Sequence, residues 1–578
     1  MSGTLIDKCP VLYKVSFHTW MPFLFFLLVP NLFFSQSTFV NEGRSDQIFI
    51  DRHYLLHDIE FDHSSIRNQS AQYLISNQAD SLNLSELDGY SWNLLKNRYP
   101  EIAYIRGEQT KGSSSRTGWF RNFYRSKYSM IRVQNKDFFL NVNPIVQFDV
   151  GEDFEDDQLI FQNTRGITIN GLIDRKVYFK TQILENQQRF FNYFEREIER
   201  VNAIPGQGFF RPYQSGVIDA VNGWDFLNAS GYGGLRISKS IDLRLGHGRH
   251  FIGNGIRSLL LSDYANNYFY LQLNTRIWKF HLQNTFAELS AFSSRDNQGD
   301  ELLPKKYMAN HYLDFQVSSK FSIGLFESVI FSRENNFEFQ YLNPIILYRS
   351  VEQFLDSPDN VLLGINLAWN FKKGWQAYGQ FILDELRTDQ IFSGDGWWGN
   401  KVGYQLGLKW FDAFNVAQLN FQVEHNTARP YTYAHRHNDP TQRPVTSYTH
   451  FNQALAHPLG ANFRETILLM NYRFSRKVVL NGQIVLSNYG EEETGNIGRN
   501  ILLNYESRDN DFGNFTGQGN SNSTFMFQLH GSYEFFPNFY LDVQYLHRNQ
   551  NDDFDLNLST NYLGFGIRAN IGKNYFIL

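Results

Sequence analysis

The sequence predicts an all-β fold, a transmembrane antiparallel β-barrel of about 18 strands, on three observations: strands with one polar face, regularly alternating link lengths, and an aromatic-rich yet hydrophilic composition. In residues 268–277, Phe269, Leu271, Leu273, Thr275 and Ile277 share one face, while Tyr270, Gln272, Asn274 and Arg276 share the other. Side chains alternate across a strand, so this segment has an apolar side and a wet side. Residues 402–410 and 419–424 repeat the pattern. Strands that keep a polar face throughout do not enclose one dry core. They suit lipid outside and water inside.

Composition supports the same class. The chain has 54 Phe and 32 Tyr, while its mean hydropathy is −0.41, a pairing that fits aromatic girdles combined with polar loops. No internal stretch approaches the ~20 apolar residues of a spanning helix. Net charge of −5 gives no reason to expect nucleic acid.

At the N-terminus, Lys8 and Lys14 precede an apolar run from Met21 to Phe34 that ends in Ser35-Gln36-Ser37. This order reads as a secretory signal peptide over residues 1–36, cleaved near Ser35 to Ser37. Cys9 is the only cysteine and lies before the run, so the exported chain has no disulfide. Residues 37–128 read as a partly helical periplasmic or plug segment, with Leu82, Leu84, Leu87, Trp92, Leu94 and Leu95 marking one or two short helices and residues 111–116 a loop. Residues 129–578 read as the outer-membrane barrel with long extracellular loops.

The expected strands lie near 138–150, 158–170, 172–184, 230–241, 243–251, 268–278, 280–292, 312–320 and 322–333. The second half places them near 362–371, 376–386, 401–411, 416–426, 463–474, 478–489, 525–535, 539–546 and 562–572. Tight turns are expected at Asn170-Gly171, 238–240, 371–375, 411–415, 474–477 and 536–538. Long links are expected at 187–227, 334–361, 427–462 and 490–524. Long links fall at odd-numbered connections and short ones at even-numbered connections, as short periplasmic turns and long external loops require. A soluble β-sandwich has no reason to segregate them.

Aromatics flank several tight turns: Phe371 and Trp375, Phe411 and Phe414, Phe535 and Phe536. They are expected at the periplasmic membrane boundary, where a ring is half wet. In the last strand Leu563, Phe565, Ile567, Ala569 and Ile571 point out while Gly564, Gly566, Arg568 and Asn570 point in. The chain then closes on Tyr575-Phe576-Ile577-Leu578. A terminal strand of this kind pairs with the first strand and leaves no edge.

Several constellations bear on chemistry. The glycine-rich run from Gly246 to Gly255 lacks the following Lys-Ser or Lys-Thr helix of a phosphate loop, so it reads as a strand-to-loop bend. His435, His437, His450 and His457 share one long external loop with Asp439. His-x-His is a zinc-chelating pattern, but no Cys or Glu partner spacing accompanies it, and the histidines read as hydrogen-bonded loop residues. Trp397-Trp398 in another external loop, and Tyr431 and Tyr433 beside Arg429, offer flat rings next to amide and guanidinium donors, an arrangement that suits sugar rings. Phe190, Phe191, Phe194, Ile198 and Val201 recur at helical spacing, which predicts a short amphipathic helix that narrows or plugs the lumen. No Gly-x-Ser-x-Gly elbow and no His-Glu-x-x-His is present.

Several segments together resemble one known family. They are the run from Phe251 to Tyr264, Asn343-Pro344, Tyr348-Arg349-Ser350-Val351-Glu352, Ser357-Pro358-Asp359-Asn360, Gly396-Trp397-Trp398-Gly399-Asn400-Lys401, Arg429-Pro430-Tyr431-Thr432-Tyr433 and the run from His457 to Phe463. The chain from about Phe120 onward is similar to the Wzi-like capsule-assembly family in its Bacteroidetes branch, some of whose members are labelled gliding-motility protein RemB. The resemblance implies an 18-stranded barrel with a helical periplasmic element, acting as a surface lectin for capsular polysaccharide.

The expectation is a non-enzymatic protein of the cell outer membrane whose external loops bind or organise surface polysaccharide. No catalytic residue, metal or cofactor is expected. The sugar-contact candidates are Trp397, Trp398, Arg429, Tyr431, Tyr433, His435 and His437. A diffusion channel is the alternative, with Gln272, Asn274, Arg276, Gln405, Lys409, Gln422 and Glu424 facing a wet lumen. A motility- or adhesion-linked envelope scaffold is another. Expected partners are outer-membrane lipid and lipopolysaccharide, surface polysaccharide, and other envelope or gliding proteins; no nucleic acid is expected.

Overall fold

One-sided strands bury nothing alone, so each pairs with its chain neighbour until the ladder closes on itself. The structure, a computed structural model, describes residues 44–57, 63–67, 84–106, 128–214, 222–293, 303–333, 336–385, 387–391, 393–552 and 558–572. The expected signal peptide, the 111–116 loop and the last residues, 573–578, lie outside these. The barrel has 18 antiparallel strands. In chain order they are β1 Phe138–Asp153, β2 Gln158–Ile173, β3 Val177–Gln188, β4 Asn222–Arg236, β5 Ile241–Gly248, β6 Tyr268–Ile277, β7 Phe280–Ser290, β8 Lys305–Ser318 and β9 Phe321–Phe331. They continue with β10 Asn360–Lys372, β11 Trp375–Glu385, β12 Lys401–Phe411, β13 Leu419–Ala428, β14 Phe463–Arg473, β15 Val478–Glu491, β16 Asn520–Phe536, β17 Phe539–Asp552 and β18 Leu558–Ala569. Closure is made by β1 and β18, from Val146 opposite Ala569 to Asp153 opposite Tyr562. No backbone edge is left to meet lipid.

Links at the even-numbered connections are all tight, such as 278–279, 319–320, 373–374 and 537–538. The long ones fall at odd-numbered connections, although the first and last of these, 154–157 and 553–557, are themselves short. Two further expectations are corrected. The β2–β3 turn lies at Asp174-Arg175, both at positive φ, as a two-residue hairpin turn needs. Asn170-Gly171, a strong local turn signal, instead lies inside β2: Asn170 turns inward to donate to Glu101, and a Cβ on Gly171 would stand 2.5 Å from the Phe179 ring. Phe411 is buried, whereas Phe371 and Phe414 are exposed with Trp278, Trp369 and Phe474 at the turn end of the outer face. That outer face is apolar, with Leu227, Leu245, Phe269, Leu325, Leu406, Val543 and Phe565 among its exposed side chains. No helix among the described residues is long and apolar enough to cross a membrane; the strands cross it.

Helix α1, Arg44–Leu56, and helix α2, Glu86–Arg98, close the turn end. Arg52 donates to Asp88 at 2.9 Å and reaches Asp412 in the β12–β13 turn at 2.6 Å. Lys409 inside the barrel meets Asp51 at 2.6 Å, Arg98 donates to Asn538 in the β16–β17 turn, and Arg476 in the β14–β15 turn pairs with Glu86. These helices form a plate across the tight-turn end of the barrel.

Two segments fill the lumen above the plate. Residues 249–267, between β5 and β6, fold inward and bury Ile252, Leu259, Leu260 and Leu261. Residues 63–67 run beside them: His63 and Ser65 meet Asp314, and Ile66 bridges to Ile252. Across the outer mouth lies α3, Asn192–Val201, the amphipathic helix read from the sequence; it buries Tyr193, Phe194, Ile198 and Val201. Residues 429–462 complete the lid. Tyr433 and Tyr448 donate through their hydroxyls to the carbonyls of Leu259 and Leu260, stitching lid to plug.

Two buried histidines hold this lid. His450 Nδ1 accepts from the Ser290 N–H at 3.0 Å while its Nε2 sits 3.1 Å from the Asn267 carbonyl, and His435 Nδ1 lies 2.8 Å from the Thr446 hydroxyl. Burial drives both imidazoles down to about 3, against nearby Lys306 for His450 and Lys401 for His435. The folded lid therefore excludes protons that the opened lid binds, so its stability is full above the ordinary histidine value and falls as pH drops below it. Each histidine withdraws about 1.4 kcal/mol per pH unit over that window. Hydrogen exchange is expected to show amides of 429–462 losing protection between pH 7 and pH 5, on the order of two units, while barrel strands keep theirs; unchanged lid protection would contradict this. Arg52→Ala leaves Asp88 buried without its cation, which costs about 3–5 kcal/mol, and limited proteolysis should then cut near α1 while the barrel stays intact.

Candidate functional site

The lumen-facing set points inward, but into protein rather than water. Gln272, Asn274, Gln405, Lys409 and Glu424 are buried, and Arg276 and Gln422 are half-buried. A non-helical loop inside a barrel carries N–H and C=O groups that no ladder satisfies, and the wall supplies their partners. Glu424 accepts the N–H groups of Ile256 at 2.6 Å and Arg257 at 2.9 Å, while Gln405 donates to the Arg257 carbonyl at 3.0 Å. Gln380 donates to Ile252 and accepts from Leu259. Arg257 itself meets Glu465 at 2.9 Å, and His457 closes on the same carboxylate at 2.8 Å. Gly253 has φ +136 and a Cβ there would stand 2.3 Å from the Gln380 amide, so only glycine lets the plug approach the wall. The wet lumen expected over β10–β15 is thus corrected to a packed one. Alternation revealed the inward face but carried no signal for what fills it.

On the outer mouth, the sugar-contact candidates divide into two groups. Tyr431 and Tyr433 are each 1% exposed, which leaves neither ring a face for a ligand. The Tyr431 N–H and hydroxyl donate to the carbonyls of Gly498 and Asn496, and the half-buried Arg429 donates to the carbonyls of Asn400 and Asn514. His435 is buried against Thr446, and half-buried His437 accepts from the Asp439 N–H. These five residues hold the loops to one another. Trp397 and Trp398 remain half-exposed, their centroids 5.7 Å apart. Arg508 lies 4.2 Å over Trp398 and Arg387 5.4 Å over Trp397. Among the described residues no group of three His, Cys, Asp or Glu side chains stands close enough to hold a metal.

The structure adds two residues to this surface. The N–H groups of Gly513 and Asn514 donate to the carbonyls of Asp395 and Gly396, and that of Trp398 donates to Asp511, so the β11–β12 and β15–β16 loops are joined by backbone bonds. Phe512 and Phe515 are thereby exposed on the same patch as the tryptophans. Their sequence signal, two Phe among Asn, Asp and Gly in a long external loop, is the one that picked out Trp397-Trp398.

Beside the plug, along β1–β5, runs a cavity of about 560 Å³. Its lining reaches from Asn538, Asn570 and Gly572 at the turn end to Pro205, Tyr264 and Pro458 under the lid. Among the described residues, Lys180 and the arginines 67, 98, 244, 249, 257 and 568 line it with two acids, Asp46 and Asp263.

No protein-family model and no curated protein matches the chain. Among solved structures it is similar to Wzi, described as a carbohydrate-binding β-barrel of the outer membrane involved in group 1 capsule assembly in Escherichia coli, at 12% identity and a TM-score of 0.53, over 93% of this chain and all of that one. OprD of Pseudomonas aeruginosa also matches, at 9% identity and a TM-score of 0.41, over 74% of this chain and 94% of that one. The likeness to Wzi is one of fold: this chain is a large β-barrel of the outer membrane.

Proposed function

We propose that the barrel binds surface polysaccharide at its outer mouth, as a lectin without enzymatic activity. The observation that carries the proposal is the aromatic patch made by two hydrogen-bonded loops, with Trp397, Trp398, Phe512 and Phe515 flanked by Arg387, Arg508 and Asp511. Rings beside charged donors and acceptors stack on sugar C–H faces and hydrogen-bond the hydroxyls. Along a repeating polymer many weak contacts add up. The plugged lumen gives the patch a rigid base, and the fold it shares with Wzi supports capsular polysaccharide as the polymer. A role in gliding or adhesion, and a place in the Bacteroidetes branch, rest on the sequence resemblance alone; the scaffold role is tested by crosslinking to neighbouring envelope proteins.

The purified barrel is expected to bind the capsule of its own cell on a glycan array. The double substitution Trp397→Ala and Phe515→Ala is expected to weaken that binding about thirty-fold, from about 1 kcal/mol per ring, with no change in heat-modifiable gel mobility. Equal binding by wild type and variant would remove the patch from the reading.

The cationic cavity favours a second reading, diffusion of small anions along the β1–β5 wall. Planar bilayers separate the two. A steady, anion-selective current through the wild type supports the channel. The lectin reading expects little current until Arg257→Ala strands Glu465 in the wall and loosens the plug.

A further inference from the structure

The sequence reads the β9–β10 connection as an external loop, yet it folds down the outside of the barrel. Side chains opposite one another on paired strands share a face, and Asn284, His311, Glu327 and Leu363 form one such row across β7–β10. The row faces outward: its neighbours Leu325 and Ile365 are exposed on the apolar outer face. Three polar residues at lipid-facing positions are costly unless something covers them. They are covered: Asn284 is fully buried and Glu327 only 5% exposed.

The cover is the segment 336–359. Tyr348 stacks on His311 at 3.9 Å, Tyr341 on Phe331 at 4.7 Å, and Phe337 packs on Tyr307. Four backbone groups of the descending turn have side-chain partners. Asn284 donates to the Pro344 carbonyl, Asn343 accepts the N–H groups of Ile345 and Ile346, and Glu327 accepts that of Arg349. From there α4, Tyr348–Leu355, leads back toward the start of β10. On its outer side the segment presents Phe339, Ile345, Leu347 and Phe354 at 77%, 84%, 64% and 80% exposure, with Gln340, Asn343, Arg349, Ser350 and Gln353 exposed between them.

Depth follows from the ladder. On this wall the exposed Glu288–Lys305 ion pair marks the outer limit of the apolar band, and Trp278 at the β6–β7 turn marks the inner one. At about 3.4 Å per residue and a tilt near 40°, the strand between them spans about 26 Å, the height of a bilayer's apolar band, and Asn284 lies near its middle. Irregular backbone survives at that depth only where protein supplies partners, as the wall does here for the Pro344 carbonyl and the Arg349 N–H. The charged pair on this flank, Arg349 with Glu352 one helical turn on, is self-neutralising.

We propose that residues 339–354 form a re-entrant, lipid-immersed strap whose apolar side is covered by acyl chains of the outer leaflet, continuous with the lipid belt at Leu325 and Ile365. The charge row Asn284–His311–Glu327 is the docking site that holds the strap to the wall. Neither part depends on the polysaccharide reading.

The test uses the full barrel in liposomes, in a Cys9→Ser background, with a bimane label at Ile345→Cys or, independently, Phe354→Cys. Leu406→Cys serves as the lipid-belt reference and Thr441→Cys as the external-loop reference, with folding checked by heat-modifiable mobility. Phosphatidylcholine with brominated acyl chains is expected to quench both strap labels to the depth seen at Leu406, with iodide leaving them untouched. Iodide quenching like that at Thr441 would overturn the proposal. So would shielding from both quenchers, which would mean that a second copy or another protein covers the strap.

Discussion

Every part of this molecule answers to one constraint: a peptide N–H or C=O in hydrocarbon has no water to turn to. Closure of β18 on β1 satisfies the wall, because each strand then has two neighbours. What the closed ladder cannot satisfy is any irregular chain placed inside it or against it. Polar side chains of the wall do that work in two places. Gln380, Gln405 and Glu424 serve the plug from within, and Asn284 and Glu327 serve the strap from without.

The same logic separates position from function among the polar residues. An inward amide on a barrel strand is ordinarily a pore-lining group, yet here Gln380 and Gln405, with the Glu424 carboxylate, are backbone donors and acceptors for residues 249–267. Free lumen remains on the β1–β5 side, where arginines dominate. Plug, lid and turn-end plate are joined: Tyr433 and Tyr448 tie lid to plug, and Ser65 ties plug to the segment that follows α1. Such a stack holds the outer loops as a fixed surface, which is what recognition of a flexible polymer asks of its receptor.

Much of the barrel was legible in the chain because its signals are local. A period of two needs only neighbouring residues, and the lipid outside and polar interior impose it on every strand. All 18 expected strands match observed ones, although Asn170-Gly171 misplaced one turn because a turn signal reads the same inside a strand when a partner such as Glu101 claims the asparagine. The outer-mouth candidates were less legible. Tyr431 and Trp398 look alike in sequence, as aromatics in long external loops. Only packing distinguishes the ring that is fully buried, Tyr431, from the half-exposed one, Trp398, under the Arg508 guanidinium.

Sequence by itself determined the fold class, the strand order, the inward and outward faces and the side on which the long loops lie, because each follows from periodicity and spacing along the chain. Tertiary structure alone decided that the lumen is filled, that two loops join to display Phe512 and Phe515 beside Trp397, and that a third loop descends the outer wall. Those outcomes depend on contacts between residues hundreds of positions apart, such as Arg52 with Asp412 or Leu259 with Gln380. No local pattern of side chains encodes which distant backbone a buried carboxylate or amide will satisfy.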